Sequence, residues 1–339
     1  MTVAVVTSSP PGVEGGHLVI ARALAAALRE RGHDAEIVTT PDYGFGRLTR
    51  SYRAARATDV SRFDRVISLR YPSFAVRHPR HVCWLNHTMR EYYDLWPRFA
   101  ASISWRNRIK EGVRRAILRH VDRQLLRRNV TRVVAQSQTI QRRLAADFGI
   151  AAEVVYPPPP LRGYRCDAYD DYVFSVSRLD PLKRVDLLIR ALAELPARHV
   201  RAVIAGDGEG AGSLRDLARR LGVADRVSFL GRVDEETVLA HLARCRTVSF
   251  TPFAEDYGFV TIEAFASAKA VITCRDSGGA AELVEDDVSG VICEPTPAAI
   301  AIALARLADD RALAERMGSA AARRAAATTW DAAVARLLL

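Results

Sequence analysis

The chain lacks several features that would assign it to a broad class of protein. Its five cysteines are scattered and form no C-x-x-C pair, which argues against a disulfide framework and a zinc site. No run of about 18 apolar residues occurs, so we predict no membrane-spanning segment. No basic segment precedes the first apolar run, and we therefore expect no signal peptide. Together these absences favour a globular protein of the cytoplasm.

Lysine is scarce, and the charge is unevenly spread. Only three of the 49 basic residues are lysine: Lys110, Lys183 and Lys269. Residues 1–150 contain 26 Lys+Arg and 12 Asp+Glu, a net charge of +14, whereas residues 151–339 contain 23 and 27, a net charge of −4. An arginine excess can reflect a GC-rich genome, but the asymmetry does not follow from it. We therefore expect the basic half to face an acidic partner or an anionic membrane surface.

The order of apolar segments predicts an α/β protein. The chain has 339 residues, which suits two domains, and short apolar strands alternate with segments of helical periodicity. Four consecutive prolines at 157–160 can join neither a helix nor an inner strand, and they mark a stiff connector. We therefore predict a Rossmann-like domain at 1–156, the linker 157–160, and a second Rossmann-like domain at 161–325 with six strands. The last helix, 326–339, is alanine-rich.

One long helix is predicted at residues 104–128. It contains nine basic and two acidic residues. Apolar residues recur at every fourth position, and we expect this row to be buried, with the arginines turned outward. The row consists of Trp105, Ile109, Val113, Ile117 and Val121. The outward arginines then form either an ordinary solvated face or a patch that adheres to anionic lipid headgroups.

The segment 253–273 combines two carboxylates with a tight turn. Glu255 lies in a loop after a predicted strand, and Glu263 lies eight residues later on a short helix. Ligands of open α/β sheets bind beyond the carboxyl ends of the strands, and amides at the start of a helix bind anions. One segment therefore offers carboxylates for hydroxyl groups and amides for phosphate. That combination suits a sugar joined to a nucleoside diphosphate.

Four motifs in this order resemble those of a known family. They are the E-x7-E pair Glu255 and Glu263, the segment 177–184 (SRLDPLKR), the Gly206-Asp207-Gly208 turn and the Gly278-Gly279 pair. The set resembles the GT4-type retaining glycosyltransferases, also called glycosyl transferases group 1. The resemblance implies the GT-B fold, in which two Rossmann-like domains face a central cleft. It also implies an acceptor site in the first domain, a nucleotide-sugar site in the second, and a last helix that packs back on the first.

The resemblance assigns roles to particular residues. It implies catalytic roles for His87, Arg178, Lys183 and Glu255. It implies donor binding by Gly15, Gly16, Gly206, Asp207, Arg232, Val233, Asp256, Tyr257, Gly258, Phe259, Val260 and Glu263. Arg178 and Lys183 are expected to be exposed and to face the diphosphate, Glu255 to bind hexose hydroxyls, and Glu263 to bind the ribose. Ala268 and Ala270 depart from the family pattern, which has glycine and proline there, and a packing change is expected.

The implied reaction is transfer of a hexosyl group from a UDP- or GDP-sugar to a sugar, lipid-linked or small-molecule hydroxyl, by a front-face mechanism with retention. No apolar-D-x-D metal motif occurs, so we expect no cofactor and no essential metal. An alternative is a non-catalytic sugar-nucleotide-binding subunit of the same fold, recruited to a membrane-associated assembly. Nucleic acid is not an expected partner, because the basic residues are not interleaved with aromatics. The expected location is cytoplasmic, with possible peripheral attachment to the inner face of the membrane.

Overall fold

The computed structural model describes residues 1–9, 16–195 and 199–339. The chain divides into two compact units. Unit 1 comprises Met1–Pro160 and Trp330–Leu339, and unit 2 comprises Leu161–Thr329. The tetraproline segment is therefore the end of unit 1.

Unit 1 contains a sheet of six parallel strands in the order β2-β1-β3-β4-β5-β6. The strands are β1 (Thr2–Ser9), β2 (Asp34–Pro41), β3 (Arg65–Ser68), β4 (His81–Leu85), β5 (Arg132–Ala135) and β6 (Glu153–Val154). Val3 to Val6 of β1 are fully buried, as expected for an inner strand that is covered on both faces. The two-residue edge strand β6 is too short to produce a pattern in the sequence. The sequence analysis did not predict it.

The helices of unit 1 connect these strands. They are α1 (Gly16–Glu30), α2 (Leu48–Ala57), α3 (Trp96–Ser102), α4 (Trp105–Arg128) and α5 (Gln138–Phe148). The Ser137 hydroxyl accepts a hydrogen bond from the amide of Ile140 at 3.1 Å, and it caps the start of α5. No helix in the described ranges has both the length and the hydropathy needed to cross a membrane.

The apolar row of α4 contradicts the sequence-based expectation. Trp105, Ile109, Val113 and Ile117 are exposed, not buried, and Val121 is half-buried. The buried residues of α4 are instead Glu111, Leu118, Asp122 and Leu126. Periodicity identified a row of apolar residues correctly, but it could not indicate which face of the helix would contact the rest of unit 1.

The C-terminal helix α13 (Trp330–Leu338) packs within unit 1, although it is remote in sequence. The Trp330 ring lies edge-on to Trp84 of β4, with 6.3 Å between ring centroids. The Trp330 indole N–H donates to the carbonyl of Pro159 at 3.1 Å. A buried tryptophan with a satisfied N–H anchors this helix.

Unit 2 contains a second six-stranded parallel sheet, in the order β12-β11-β10-β7-β8-β9. The strands are β7 (Tyr172–Val176), β8 (Arg201–Ala205), β9 (Val227–Gly231), β10 (Thr247–Ser249), β11 (Val271–Cys274) and β12 (Gly290–Cys293). All six were predicted, with ends that differ by up to two residues. The two Rossmann-like domains predicted from the sequence are therefore confirmed as two parallel six-stranded α/β units.

The helices of unit 2 are α6 (Val185–Glu194), α7 (Ala211–Arg220), α8 (Glu235–Arg244), α9 (Phe259–Ala266), α10 (Gly279–Leu283), α11 (Pro297–Asp309) and α12 (Arg311–Ala326). The buried side chains of Leu188, Ile189 and Leu192 on α6 share one apolar core with Ile300 and Leu304 on α11. This core holds the two helices together.

Candidate active site

The strand order of unit 2 reverses between β7 and β10. From β7 the chain proceeds outward to β8 and β9, whereas β10 lies on the other side of β7 and is followed by β11 and β12. In doubly wound sheets, ligands bind outside the carboxyl ends of the strands at such a reversal. The loop after β7 contains Arg178 and Lys183, and the loop after β10 contains Glu255. The topology therefore brings two predicted motifs to the same point, although Lys183 and Glu255 are 72 residues apart in sequence.

Lys183 and Glu255 form an ion pair at this point. The Lys183 Nζ lies 2.6 Å from Glu255 Oε2, and the two side chains are only 15% and 20% exposed. The sequence analysis expected Lys183 to be exposed, and that expectation is wrong because the carboxylate of Glu255 takes up its ammonium group. Arg178 behaves as expected, since its side chain is 83% exposed and lies 3.5 Å from Asp180.

Arg184 ties three loops of the site together, a role that the sequence analysis did not assign. Its guanidinium donates to the carbonyls of Thr251 and Pro252 and forms a two-point contact with the Asp276 carboxylate at 2.6 and 2.7 Å. The Arg184 backbone has φ 50°, a left-handed conformation that is uncommon outside glycine. The only signal in the sequence was its place at the end of the segment 177–184, next to Lys183.

Backbone hydrogen bonds position Glu255. Its amide donates to the carbonyl of Ser277 at 3.1 Å, and its carbonyl accepts from the amide of Gly279 at 2.8 Å. Gly258, with φ 97°, directly precedes α9, and a Cβ there would lie 2.8 Å from the Cα of Ala280. Glycine is therefore required at this turn, and the predicted Gly278-Gly279 pair lies directly against the predicted carboxylate loop.

The Gly206-Asp207-Gly208 turn packs directly on the segment 177–184. The amide of Leu179 donates to the carbonyl of Asp207 at 2.9 Å. A Cβ on Gly206 would lie 1.8 Å from the carbonyl oxygen of Ser177, so no other residue fits. The Asp207 side chain is exposed and accepts from the amide of Gly208 at 2.8 Å. These glycines set the distance between two loops of the rim.

Helix α9 begins at the same rim. Phe259 and Val260 are its first residues and are half-buried, and the ring of buried Tyr257 contacts Phe259 with 5.0 Å between centroids. Asp256 immediately precedes Tyr257 and is half-buried. The first amides of a helix carry partial positive charge and bind anions. The start of α9 therefore offers an anion site beside the Lys183–Glu255 pair.

Glu263 lies buried on α9, and two residues that sequence reasoning missed hold it in place. Glu263 Oε1 accepts from the Arg162 guanidinium at 2.5 Å and from the Tyr164 hydroxyl at 3.1 Å. Arg162 also pairs with Glu235 at 2.9 Å. Burial raises the pKa of Glu263 above its ordinary value, whereas the charge of Arg162 and the Tyr164 hydrogen bond lower it. The signal in the sequence was the position of Arg162 and Tyr164 directly after the proline connector.

The remaining predicted residues lie as follows. Arg232 is exposed and Val233 half-buried, just after β9. His87 is half-buried after β4 in unit 1, and its Nδ1 lies 2.8 Å from the carbonyl of Thr88. Gly16 begins α1, and Gly15 lies outside the described residues. Unit 2 thus brings the predicted diphosphate, hexose and ribose residues to one rim.

Across the described residues, no group of three or more His, Cys, Asp and Glu side chains is arranged to hold a metal ion.

Comparison with protein families identifies unit 2. Residues 166–324 match the model of the family "Glycosyl transferases group 1". D-inositol 3-phosphate glycosyltransferase of Nocardia farcinica is 36% identical over 168 residues, which is 47% of this chain and 37% of that protein. The protein of the same name from Streptomyces griseus is 40% identical over 169 residues, 46% of this chain and 35% of that protein. The chain therefore spans little more than a third of the length of these curated relatives.

Solved structures match over nearly the whole chain. Anabaena HepE, solved in complex with UDP and glucose, superposes with a TM-score of 0.74 and 21% identity, covering 99% of each chain. Sucrose-phosphate synthase from Thermosynechococcus elongatus gives a TM-score of 0.76 at 18% identity, covering 98% of this chain and 97% of that one. Similarity at this level of identity shows the shared fold alone. The family match therefore places residues 166–324 of unit 2 among the glycosyl transferases group 1, and the similarity to solved structures shows that the chain has the GT-B fold.

Proposed function

We propose that this chain is a retaining glycosyltransferase that moves a hexosyl group from a UDP- or GDP-linked sugar to a hydroxyl acceptor. The observation that carries the proposal is the Lys183–Glu255 ion pair at the strand reversal of unit 2. The family match of residues 166–324 supports it, as do relatives that are named glycosyltransferases. The complex of Anabaena HepE with UDP-glucose supports a uridine nucleotide as the first donor to test.

Leaving-group stabilisation is assigned to Lys183, Arg178 and the first amides of α9. Negative charge grows on the β-phosphate as its bond to the sugar C1 breaks, and preorganised cations aimed there are usually the largest catalytic contribution. In the free protein Glu255 neutralises Lys183 at 2.6 Å. A diphosphate that approaches Lys183 shares its ammonium group, which frees Glu255 to accept hydrogen bonds from the hexose. The exposed Arg178 can turn toward the same diphosphate.

The reaction then proceeds on one face of the sugar. The C1–O bond to the phosphate breaks, and the acceptor oxygen bonds to C1 on the face that the phosphate leaves. The acceptor's proton passes to the leaving phosphate oxygen, so the configuration is retained. No metal is required in this proposal, because cationic side chains and helix amides balance the charge. His87, which lies in unit 1, is proposed to take part in the reaction, as the resemblance implies.

Glu263 is proposed to bind the ribose through its second oxygen. Both of its described hydrogen bonds end on Oε1, which leaves Oε2 as the atom for a ribose hydroxyl. Arg232 and Val233 are proposed to lie beside the base, and the glycine turn 206–208 beside the donor.

The acceptor is proposed as a sugar, lipid-linked or small-molecule hydroxyl. We further propose that the basic half of the chain works at an anionic membrane surface on the cytoplasmic side. The net charge of +14 (26 − 12) over residues 1–150 supports this partner.

The test is acceptor-free hydrolysis of UDP-glucose, UDP-galactose and GDP-mannose, with the first-formed anomer read by NMR. One donor should be hydrolysed, and the sugar should be released first as the α-anomer. Lys183→Met should abolish most of this activity, whereas Lys110→Met, an exposed lysine in unit 1, should not. Tight nucleotide-sugar binding without turnover, with or without a panel of acceptors, would instead support the non-catalytic alternative.

A further inference from the structure

The outer face of α4 presents a continuous apolar surface to solvent. Trp105, Ile109, Val113 and Ile117 follow one another at every fourth position, and each is between 59% and 66% exposed. We call these four residues the α4 row. At 1.5 Å per residue, the row extends for about 18 Å along the helix. A surface of this length and apolar character is unusual on a protein that meets only water.

The inner face of the same helix combines two leucines, Leu118 and Leu126, with two buried carboxylates. The buried Asp122 carboxylate accepts from the Tyr52 and Tyr93 hydroxyls, and buried Glu111 accepts from the Tyr92 hydroxyl at 2.5 Å. Burial raises the pKa of Asp122 to about 6, although the hydrogen bonds from Tyr52 and Tyr93 act in the opposite direction. The helix thus turns both of its acidic residues inward, while the four apolar residues of the row face outward. Packing within unit 1 therefore does not explain the row.

Basic residues flank the row. Arg106 and Lys110 follow Trp105 and Ile109 by one position each, and both are exposed. The Arg106 guanidinium lies over the Trp105 ring, 5.4 Å from its centroid. The other seven basic residues of α4 lie elsewhere on the helix. Both acidic residues of α4 face inward. An exposed apolar row with a cationic border matches the chemistry of an anionic bilayer, whose headgroups are negative and whose acyl boundary is apolar.

We propose that the α4 row inserts into the headgroup–acyl boundary of an anionic membrane, with the helix lying in the membrane plane. This inference rests on the membrane partner in the proposed function and assigns the contact to apolar side chains on one face of α4. It differs from the arginine face expected from the sequence, because several of those arginines are engaged within unit 1. Arg115 donates to the carbonyl of Tyr92 at 2.8 Å, and Arg119 pairs with Asp147 at 2.8 Å.

The test measures cosedimentation of the protein with phosphatidylcholine vesicles in which about one lipid in three is the anionic lipid phosphatidylglycerol. This fraction gives the vesicles a negative surface potential. Trp105→Ser/Ile109→Ser should lower the partition coefficient by at least about tenfold, since each removes a large apolar side chain from the boundary. Both side chains are exposed, so melting temperature should be unchanged. The matched control is Ile302→Ser, an equally apolar residue on α11 that is 71% exposed and should bind as the wild type does.

A second variant separates the two forces. Arg106→Gln/Lys110→Gln should weaken binding strongly at low salt and less at high salt, whereas the row variant should weaken it at both. Loss of binding in the charge variant with none in the row variant would overturn the proposal in favour of a purely electrostatic face. A wild-type dimer in light scattering that the row variant converts to monomer would overturn it in favour of a second copy of this chain. Calorimetry measures UDP binding by the wild type and by every variant. If the wild type binds UDP but not the vesicles, the membrane contact is overturned and the transferase proposal is unaffected.

Discussion

The contact between Arg162 and Glu263 leads to a prediction with an unusual pH signature. The change is Arg162→Met, which keeps the length of the side chain and removes its charge. The guanidinium lies 2.5 Å from Glu263 Oε1, and neither side chain is more than one-fifth exposed. Two unit charges about 4 Å apart attract by about 4 kcal/mol at an effective dielectric constant near 20. Removing one partner of such a pair typically costs about 3–5 kcal/mol, because the other charge is left buried.

The variant can recover part of this loss by protonating Glu263. Burial already raises the pKa of Glu263, and Arg162 opposes the shift, so removing Arg162 raises this pKa further. A carboxyl group whose folded-state pKa is raised binds more protons when folded, so stability is gained as pH falls and lost as it rises through that pKa. The melting temperature of Arg162→Met, relative to wild type, should therefore increase from pH 8 to pH 5.

Nucleotide binding should show the opposite trend. Only the ionised carboxylate is a full acceptor for a ribose hydroxyl, so UDP affinity should fall as pH falls through the Glu263 pKa. In Arg162→Met this fall should begin at higher pH, and at pH 7 the Kd for UDP should rise by about ten- to a hundredfold, the value of one charge-assisted hydrogen bond. Since the ribose does not change during the reaction, the loss should appear in KM and leave kcat nearly intact.

Isothermal titration calorimetry with UDP and thermal unfolding, each between pH 5 and pH 8, measure the two trends. Arg162→Lys should restore most of the affinity at pH 7. Arg165→Met is the matched control, because Arg165 lies three residues further on and forms an exposed pair with Asp167. Adding Glu263→Gln to Arg162→Met should remove the difference in pH dependence. A loss of UDP affinity that is equal at all pH values, or one that appears in kcat, would refute the reasoning.

Four further substitutions and one chelation experiment test other parts of unit 2. Arg178→Ala should lower kcat by about 10²–10³ and change the unfolding free energy by less than about 0.5 kcal/mol, because the side chain is exposed; near-normal kcat removes its leaving-group role. Lys183→Met should lower kcat similarly but also destabilise by about 1–3 kcal/mol in urea unfolding, because it leaves Glu255 without its partner; unchanged stability would contradict the ion pair. Glu255→Gln should lower kcat while calorimetry shows nearly unchanged UDP binding, and a selective loss of UDP affinity would mean that the donor is bound in the reverse orientation. Activity should persist in excess chelator, and loss that Mn²⁺ or Mg²⁺ restores would defeat the metal-free proposal. Ala268→Gly should stabilise unit 2 by about 0.5–1 kcal/mol, since Ala268 has φ 54° and glycine adopts this conformation without strain; a lower melting temperature would show that the strain is already relieved.

Ala268 is one of the two departures from the family pattern. Ala268 replaces a glycine, and the structure shows the left-handed backbone that glycine would serve. The Ala268 carbonyl accepts from the Tyr169 hydroxyl at 2.6 Å, which holds the turn. The sequence analysis expected a packing change at this place. It had no means of predicting the backbone conformation, because φ depends on the turn that the surrounding strands impose.

The sequence by itself determined the two α/β units and most of their strands, because apolar runs of four to six residues bounded by turn residues are a local signal. It also indicated which residues lie on one rim: Arg178, Lys183, Glu255 and Glu263 are all found on loops or helices at the carboxyl ends of strands of unit 2. The glycine motifs likewise indicated tight turns, since only glycine fits a left-handed or crowded backbone position.

Tertiary structure alone decided which of these groups are joined. The Lys183–Glu255 pair, the Arg184 contact with Asp276 and the Arg162 contact with Glu263 connect residues between 72 and 101 positions apart. Local patterns contain no information about such pairs, because strand order brings them together. The same limit explains α4: periodicity located the row of Trp105, Ile109, Val113 and Ile117, but burial is set by what the helix packs against. In this chain the tyrosines of unit 1 hydrogen-bond to the buried carboxylates of α4, and the apolar row faces outward.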